Sequence, residues 1–465
     1  MDGRSKGRGA RGEGTDLRPA SSPPIAALAT ARGRAALAIV RVTGDGAISV
    51  AQACFSNPAL ADAPTRTAHV GWIVDADGRR VDHAVALVFR APHSATGEDT
   101  VEFTTHGGDA APQATLAALF AAGARPAAPG EFTRRAFLNG RLDLAQAEAV
   151  ADLIHAQSRL GQRAALAGLD GHVGRAVEGV RAALLQTAAL VELELDFAEE
   201  DVEFASRDDL HRLLGDADRL LGELLSTARL GALARDGVRV VLGGRPNAGK
   251  STLFNALVGS ERAIVSAAPG TTRDRVEATA EIGGLAVTFV DTAGLRDTAD
   301  AVEAEGVRRA EDAMHGADAL LYLADAAVGP DADERAVLDG LAAARPDLPV
   351  LRLASRADLA PDAPTPWADL AVRADGPLDD LRDRLLAALC VEAVDPDASV
   401  IAVNERHRTH LADAREAVGR ARHAPGAETL AVDLRTALHH LGLVTGAVTS
   451  EDVLSAVFSQ FCIGK

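Results

Sequence analysis

The apolar residues change their spacing three times along the chain. From about Ile25 to Gly140, short β-leaning runs ("LAIVRV", "HAVALVF", "TVEFTTH") alternate with Ala-rich stretches of helical period, which predicts a small α/β or α+β domain. From Leu142 to about Arg235 the pattern is helical throughout: "LDLAQAEAVADLI" sets Leu142, Leu144, Ala147, Val150, Ala151 and Ile154 near one stripe. From Gly237 strands and helices alternate again. The runs "VRVVLGG", "LAVTFVDT", "ALLYLADA" and "LPVLRLAS" are spaced for a mostly parallel sheet with crossover helices. After the Pro-containing "VEAVDPDAS" the chain is helical to Lys465.

These patterns predict a multidomain α/β chain. Residues 1–24 form a disordered basic tail, 25–141 an N-terminal α/β domain, and 142–235 the first part of a helical domain. Residues 236–393 form an inserted α/β domain and 394–465 the second helical part, which packs on the first because neither alone offers a large core.

The inserted domain carries the clearest chemistry. "VRVVLGGRPNAGKSTLFNALVG" reads as strand, Gly-rich loop and helix, and Gly244-x-x-x-x-Gly249-Lys250-Ser251 within it matches a P-loop. Backbone N–H groups around Asn247, Ala248, Gly249 and Thr252 suit phosphate oxygens, Lys250 the terminal phosphates and Ser251 a Mg²⁺ ion. On the next strand, Asp291-Thr292-Ala293-Gly294 stands where a metal-side Asp and a γ-phosphate sensor are expected, as in a Ras-like G domain. The intervening loop Ser266-Ala267-Ala268-Pro269-Gly270-Thr271-Thr272 offers hydroxyls, Thr272 among them, to complete the Mg²⁺ shell. The residue after Gly294 is Leu295, which cannot orient an attacking water as a Gln would.

Base recognition rests on Ser355-Arg356-Ala357-Asp358 after the fourth strand, where GTPases carry Asn-Lys-x-Asp. The Asp358 carboxylate can accept from guanine N1–H and the 2-amino group, which adenine lacks, and Arg356 can stack on the base. Losing the Asn hydrogen bond costs about 1 kcal/mol, which leaves guanine favoured.

Composition narrows the setting. A chain of 465 residues with 47% hydrophobic and 25% charged residues is a globular protein of several domains, and its net charge of −18 argues against a surface that binds nucleic acid everywhere. The three cysteines, Cys54, Cys390 and Cys462, form no C-x-x-C pair, which fits a reducing cytosol, and no apolar run is long enough to span a membrane. By default Cys462, beside Phe458 and Phe461, is a small buried hydrophobe. His439 and His440 read as a surface-and-core pair, with no Cys or carboxylate at ligand spacing to make them a metal site.

With "GRPNAGKS", "GTTRD" and "DTAGLR" in the G domain, "PGEFTRRAFLNGRLDLAQAEAVADLI" before it and "FCIGK" at the end, the chain resembles the MnmE (TrmE) family of tRNA modification GTPases from about Ile25 onward. The resemblance implies GTP hydrolysis by a homodimer whose G domains pair in a potassium-dependent way. It implies work with the FAD-dependent enzyme MnmG on the wobble uridine of certain tRNAs. There (carboxymethyl)aminomethyl groups are added at C5, the carbon coming from a tetrahydrofolate derivative (5,10-methylene or 5-formyl). It also implies that Asn247, Ser266, Ala268 and Thr271 hold K⁺, that Glu303 replaces the missing Gln, and that Cys462 serves the modification. Folate would fall to Arg41, Glu102, Arg141 and Lys465. The family has a Pro-Gly-Arg-Gly-Gly turn where this chain has Ala35 and Ala36, so a turn requiring positive φ there would have to differ.

The rival of another class is a GTP-regulated assembly or scaffold factor, such as a ribosome-biogenesis GTPase. It would bring a basic RNA-binding module, and the acidic total argues against one. A one-carbon transferase with a vestigial G domain is a third reading, against which the intact P-loop stands.

Overall fold

The computed structural model describes residues 22–196, 207–259, 276–291, 316–360, 364–373, 376–389 and 402–465. The chain divides into two compact units, Met1–Ala151 with Leu169–Gly222 and Thr409–Lys465, and Asp152–Gly168 with Glu223–Arg408.

The first unit begins with a six-stranded sheet in the order β3-β4-β5-β2-β1-β6. Its strands are β1 (Ile25–Leu28), β2 (Leu37–Thr43), β3 (Thr67–Val74), β4 (Arg80–Phe89), β5 (Thr100–His106) and β6 (Arg125–Pro126). All pair antiparallel except β1 with β6. One face is covered by α1 (Ala47–Ala53) and α2 (Ala110–Ala121), around a core that includes Val40, Val42, Leu60, Ile73, Phe103 and Leu119. Alternation along β3 leaves Val70 and Trp72 on the other, open face, as a half-buried antiparallel strand should. Short β1 and β6 carry too few residues to show a period, and so escape a reading by pattern.

Further helices of this unit include α3 (Glu131–Leu138), most of α4 (Leu144–His155), α6 (His172–Asp196), most of α7 (Arg207–Ser226) and, after a return to the C-terminal segment, α13 (Ala427–Thr445). Between α4 and α6 lies α5 (Arg159–Leu169), which belongs mostly to the second unit. Helix α13 buries Leu430, Leu434, Ala437, Leu441 and Val444, a stripe of helical spacing, and packs along α6. Each such fully buried Leu contributes about 1.5–3 kcal/mol. Helices from the two chain segments thus meet along α6 and α13.

The second unit holds a six-stranded sheet ordered β12-β11-β10-β7-β9-β8. Its strands are β7 (Val238–Gly243), β8 (Val276–Ile282), β9 (Leu285–Asp291), β10 (Ala319–Asp325), β11 (Val350–Ser355) and β12 (Leu370–Ala371). Every pairing is parallel except the edge pair β8–β9. The central strands are buried almost end to end, as parallel strands covered on both faces must be. Around the sheet lie α8 (Ala228–Asp236), α9 (Lys250–Gly259), α10 (Ala332–Ala344) and α11 (Asp379–Ala388). Helix α12 (Glu405–Arg422) leads back to the first unit, which ends with α13 and α14 (Glu451–Phe458). Among the described residues no helix is long and apolar enough to cross a membrane.

Candidate nucleotide and pterin sites

The parallel register sets Asp291 opposite Leu242, two residues ahead of the P-loop glycine Gly244. A motif more than forty residues downstream is thereby carried to the loop's mouth, at the carboxyl end of the sheet where open α/β folds bind ligands. There the Ser251 hydroxyl donates to Asp291 Oδ2 at 2.8 Å, and Asp291 is buried. Both partners offer oxygen, the donor set a hard divalent cation requires. Lys250 is buried with its ammonium donating to the carbonyls of Gly244 and Arg245, both at 2.7 Å. The cation is thus held inside its own loop, ready to exchange carbonyls for phosphate oxygens.

Asn247 takes the left-handed conformation, φ 62°, which Asn tolerates better than most side chains. Arg356, also at positive φ, donates from Nη2 to the Asn247 carbonyl at 2.6 Å and from Nη1 to Asp325 at 3.3 Å. Its guanidinium braces the P-loop here, where the sequence offered it as a stacking plane for the base. Ser355 is buried and donates to the Ala324 carbonyl at 3.2 Å, so the residue at the usual Asn position ties two strands together. Asp358 is exposed in the loop that follows β11, and Thr252 is exposed on α9 while Ala248 is buried.

Four residues that the sequence did not single out, Arg245, Asp331, Glu334 and Tyr322, complete this surround. Arg245 of the P-loop pairs with Asp331, the N-cap of α10, whose capping box with Glu334 closes in both directions. Glu334 in turn accepts from the Tyr322 hydroxyl at 2.8 Å. Burial first, and the Glu334 carboxylate next, push the Tyr322 phenol above its ordinary range. The Asp331-x-x-Glu334 spacing was the available signal, legible as a cap but not as a brace for the P-loop. Ser266 through Thr272, Thr292, Ala293, Gly294 and Glu303 lie outside the described residues.

In the first unit Arg41 on β2 faces Glu102 on β5 in direct register, and Arg41 Nε lies 2.7 Å from Glu102 Oε1. The Arg41 guanidinium also stands 5.6 Å from the centre of the Phe132 ring. The Phe132 N–H donates to the Lys465 carbonyl at 3.2 Å, so Arg41, Glu102 and the chain's last residue converge around α3. Arg141 is exposed and lays its stem against Gly97 in the loop between β4 and β5.

Two glycines make this convergence sterically possible. Gly130, at φ 66°, would drive a Cβ to 2.5 Å from the Phe458 carbonyl; Gly464, at φ 100°, would drive one to 2.1 Å from the Leu28 carbonyl. The "PGEF" and "FCIGK" signatures are therefore two halves of one junction. Ala35 and Ala36 present no such demand: the described non-glycine residues at positive φ are Arg66, Asn247 and Arg356. The turn closes instead through Ala35 N–H to Gly107 O (2.8 Å) and Gly107 N–H to Ala36 O (3.1 Å).

Cys462 corrects the expectation of a buried thiol. Phe458 and Phe461 fill the apolar cluster with Leu144, Ala147, Leu454 and Val457, and the turn between them and Lys465 leaves Cys462 exposed. Of the two described cysteines Cys54 is the buried one, and burial pushes its thiol up to about 11. A thiol reagent at neutral pH is therefore expected to react quickly at Cys462 and not at Cys54 until the protein unfolds. Following the thiol count against time checks this: Cys462→Ser should remove a fast phase, and Cys54→Ala should leave that phase unchanged.

Together the P-loop, the Ser251–Asp291 pair and the mostly parallel sheet define a P-loop nucleotide-binding domain suited to a nucleotide with Mg²⁺. Comparison with known proteins carries this further. The profile of the MnmE helical domain matches residues 144–462, and that of the GTP-binding protein TrmE N-terminus matches residues 24–141. The tRNA modification GTPase MnmE of Salinibacter ruber is 52% identical over 96% of this chain and 99% of its own length. The MnmE of Chlorobium phaeovibrioides is 43% identical over 97% of this chain and 99% of its own. Among solved structures, Aquifex aeolicus Era Y63A bound to GDP·AlF₄⁻ is 24% identical, covering 39% of this chain and 66% of that one with a TM-score of 0.28. The chain belongs to the MnmE family of tRNA modification GTPases.

Proposed function

We propose that this GTPase hydrolyses GTP in a potassium-dependent way when two G domains pair, and that it does so in modifying the wobble uridine of certain tRNAs at C5. It acts there in the cytoplasm with the FAD-dependent enzyme MnmG, adding (carboxymethyl)aminomethyl groups whose carbon comes from a tetrahydrofolate derivative. Family membership supports the reading, and the Ser251–Asp291 contact beside a buried Lys250 is the observation that carries the hydrolytic half.

The division of labour follows from the chemistry. Lys250 and the backbone N–H groups from Asn247 to Thr252 bind phosphates, Ser251 and Thr272 hold Mg²⁺, and Ser266 through Thr271 with Asp291 through Gly294 enclose the γ-phosphate. Mg²⁺ supplies charge neutralisation at the phosphates. Asn247, Ser266, Ala268 and Thr271 are assigned to K⁺, a fixed charge where charge develops during phosphoryl transfer. Glu303 orients the water that Leu295 cannot, and Asp358 reads guanine.

The Arg41–Glu102 pair suits folate for a different reason. A pterin presents an amino-amide edge to a carboxylate, while Arg141 and Lys465 suit its acidic tail. The N-terminal domain, residues 25–141, would bind this cofactor and pair two chains. Cys462, exposed next to the Lys465 junction, is available to the modification chemistry.

The test is reconstitution with MnmG, unmodified tRNA, methylene-tetrahydrofolate, GTP and an ammonium or glycine donor, followed by mass analysis of tRNA nucleosides. A C5-modified wobble uridine formed with GTP and absent with a non-hydrolysable analogue is expected. GTP turnover with no modified nucleoside would favour the scaffold reading.

A further inference from the structure

The pair His439-His440, unremarkable in sequence, stands differently in the folded chain. Helices α12 and α13 run as a hairpin with only a short turn, residues 423–426, between them, which brings the start of α12 beside the end of α13. His410 and Asp413, one helical turn apart on α12, then face His440 on α13, and one ligand-type atom of each lies within 4.8 Å of the other two. The two imidazole rings are 5.9 Å apart. His439, on the neighbouring face, is exposed and meets His440 edge-on, outside the group.

We propose that His410, Asp413 and His440 form a binding site for one zinc-class divalent ion, which clips α12 to α13. Three observations carry this. The donor set is two imidazoles and one carboxylate, which selects a borderline-soft first-row ion over Mg²⁺ or Ca²⁺. The spacing is right: with metal–ligand bonds of about 2.0–2.1 Å, tetrahedral ligands lie about 3.4 Å from one another. His440 Nδ1 and Asp413 Oδ2 are already 3.4 Å apart. That same Nδ1 is buried and makes no hydrogen bond of acceptable geometry, even to Asp413. A buried ring nitrogen next to a carboxylate oxygen, yet misaligned for a proton between them, is what two lone pairs directed at a common third point produce. All three residues are half-buried, so an ion has a path in and a fourth position is left for water.

The site is unrelated to the oxygen-lined pocket of Ser251 and Asp291, and the full-length protein can test it without loss of that pocket. After chelation and exchange into chelator-free buffer, Co²⁺ is titrated in the presence of saturating Mg²⁺, with visible absorption as the readout. One equivalent should bind with ligand-field bands and no thiolate charge-transfer band, and Zn²⁺ should displace it. His440→Gln and Asp413→Asn should each weaken binding about 10-fold or more, since losing even an outer-shell partner costs that much. Metal-free circular dichroism and Mg²⁺-dependent GTP hydrolysis should match the parent chain. Zn²⁺ should also raise the unfolding temperature of the parent chain and not of the variants. Absence of saturable Co²⁺ binding, or equal affinity in parent and variants, would overturn the assignment.

Discussion

Replacing Lys250 by Ala is expected to lower GTP hydrolysis by about 10²–10³-fold, the loss that follows removal of one preorganised charge-stabilising donor. The side chain is buried, and its ammonium is fixed by the Gly244 and Arg245 carbonyls, so it is placed before nucleotide arrives. With nucleotide bound the ammonium passes from these carbonyls to phosphate oxygens on which charge builds, which is why the loss should fall on turnover as well as on affinity. Lys250→Arg should not rescue, because the planar guanidinium cannot take the position of a compact ammonium between two carbonyls of a tight loop. Phosphate release under saturating GTP, read beside GDP affinity, checks both statements. A Lys250→Ala chain that keeps turnover within a few-fold of the parent would remove the lysine from the mechanism. Asp291 and Ser251 should show the same dependence through Mg²⁺: Asp291→Asn is expected to raise the Mg²⁺ needed for half-maximal rate.

The second large effect concerns stability. Glu131, the first residue of α3, is buried and held by Arg125 at 2.5 and 2.9 Å, by Arg135 at 3.1 Å and by the Ala128 N–H at 2.9 Å. Arg135, equally buried, also pairs with Glu98 at 3.0 Å. Glu131→Gln keeps the shape and removes the charge: half-exposed Arg125 falls back on solvent, and buried Arg135 loses one of its two carboxylates and keeps Glu98. Losing charge-assisted hydrogen bonds to this buried carboxylate costs about 1.5–3 kcal/mol, with the Arg125 share reduced by its exposure to solvent.

Burial works to raise the Glu131 carboxyl, but the Arg125 pairing, the Ala128 N–H and Arg135 together hold it below the usual carboxylate range. A folded-state pKa below the unfolded one means that this stabilisation is complete above the ordinary Glu value of about 4.3 and is lost as pH falls through the folded value. The gap in unfolding free energy between parent and Glu131→Gln should therefore stay flat from pH 8 to about 5 and close at lower pH. Denaturant titrations at a series of pH values measure it; a gap that widens toward acid would contradict the pairing.

How much of this was legible in sequence varies with the range of the interaction. The central strands β7, β9 and β10 announce themselves as unbroken apolar runs, and the P-loop by its glycine spacing, because both are local. Edge strand β8 does alternate, Val276, Ala278, Ala280 and Ile282 against Glu277, Thr279 and Glu281, and was passed over; the two-residue β6 and β12 offered no period to be seen. The Arg41–Glu102 pair depends on strand register, and Arg356 on a contact between loops 109 residues apart. Neither is encoded by spacing. The cysteines show the same limit: chain position suggested that Cys462 is buried, whereas the tight approach of Gly464 to Leu28 decides which way the terminal turn faces. His410 and Asp413 joined His440 only once α12 and α13 had formed a hairpin. Residues whose partners lie in the same motif were readable; residues whose partners arrive through topology were not.

The proposal with most at stake is that a monovalent cation beside Asn247 neutralises the charge that develops in hydrolysis, while Glu303 orients the water that Leu295 cannot. GTP hydrolysis compared in KCl and NaCl at matched ionic strength, with ATP as the control nucleotide, tests it most directly. Strong stimulation by K⁺, little by Na⁺ and no turnover of ATP are expected. Equal rates in the two salts would contradict it.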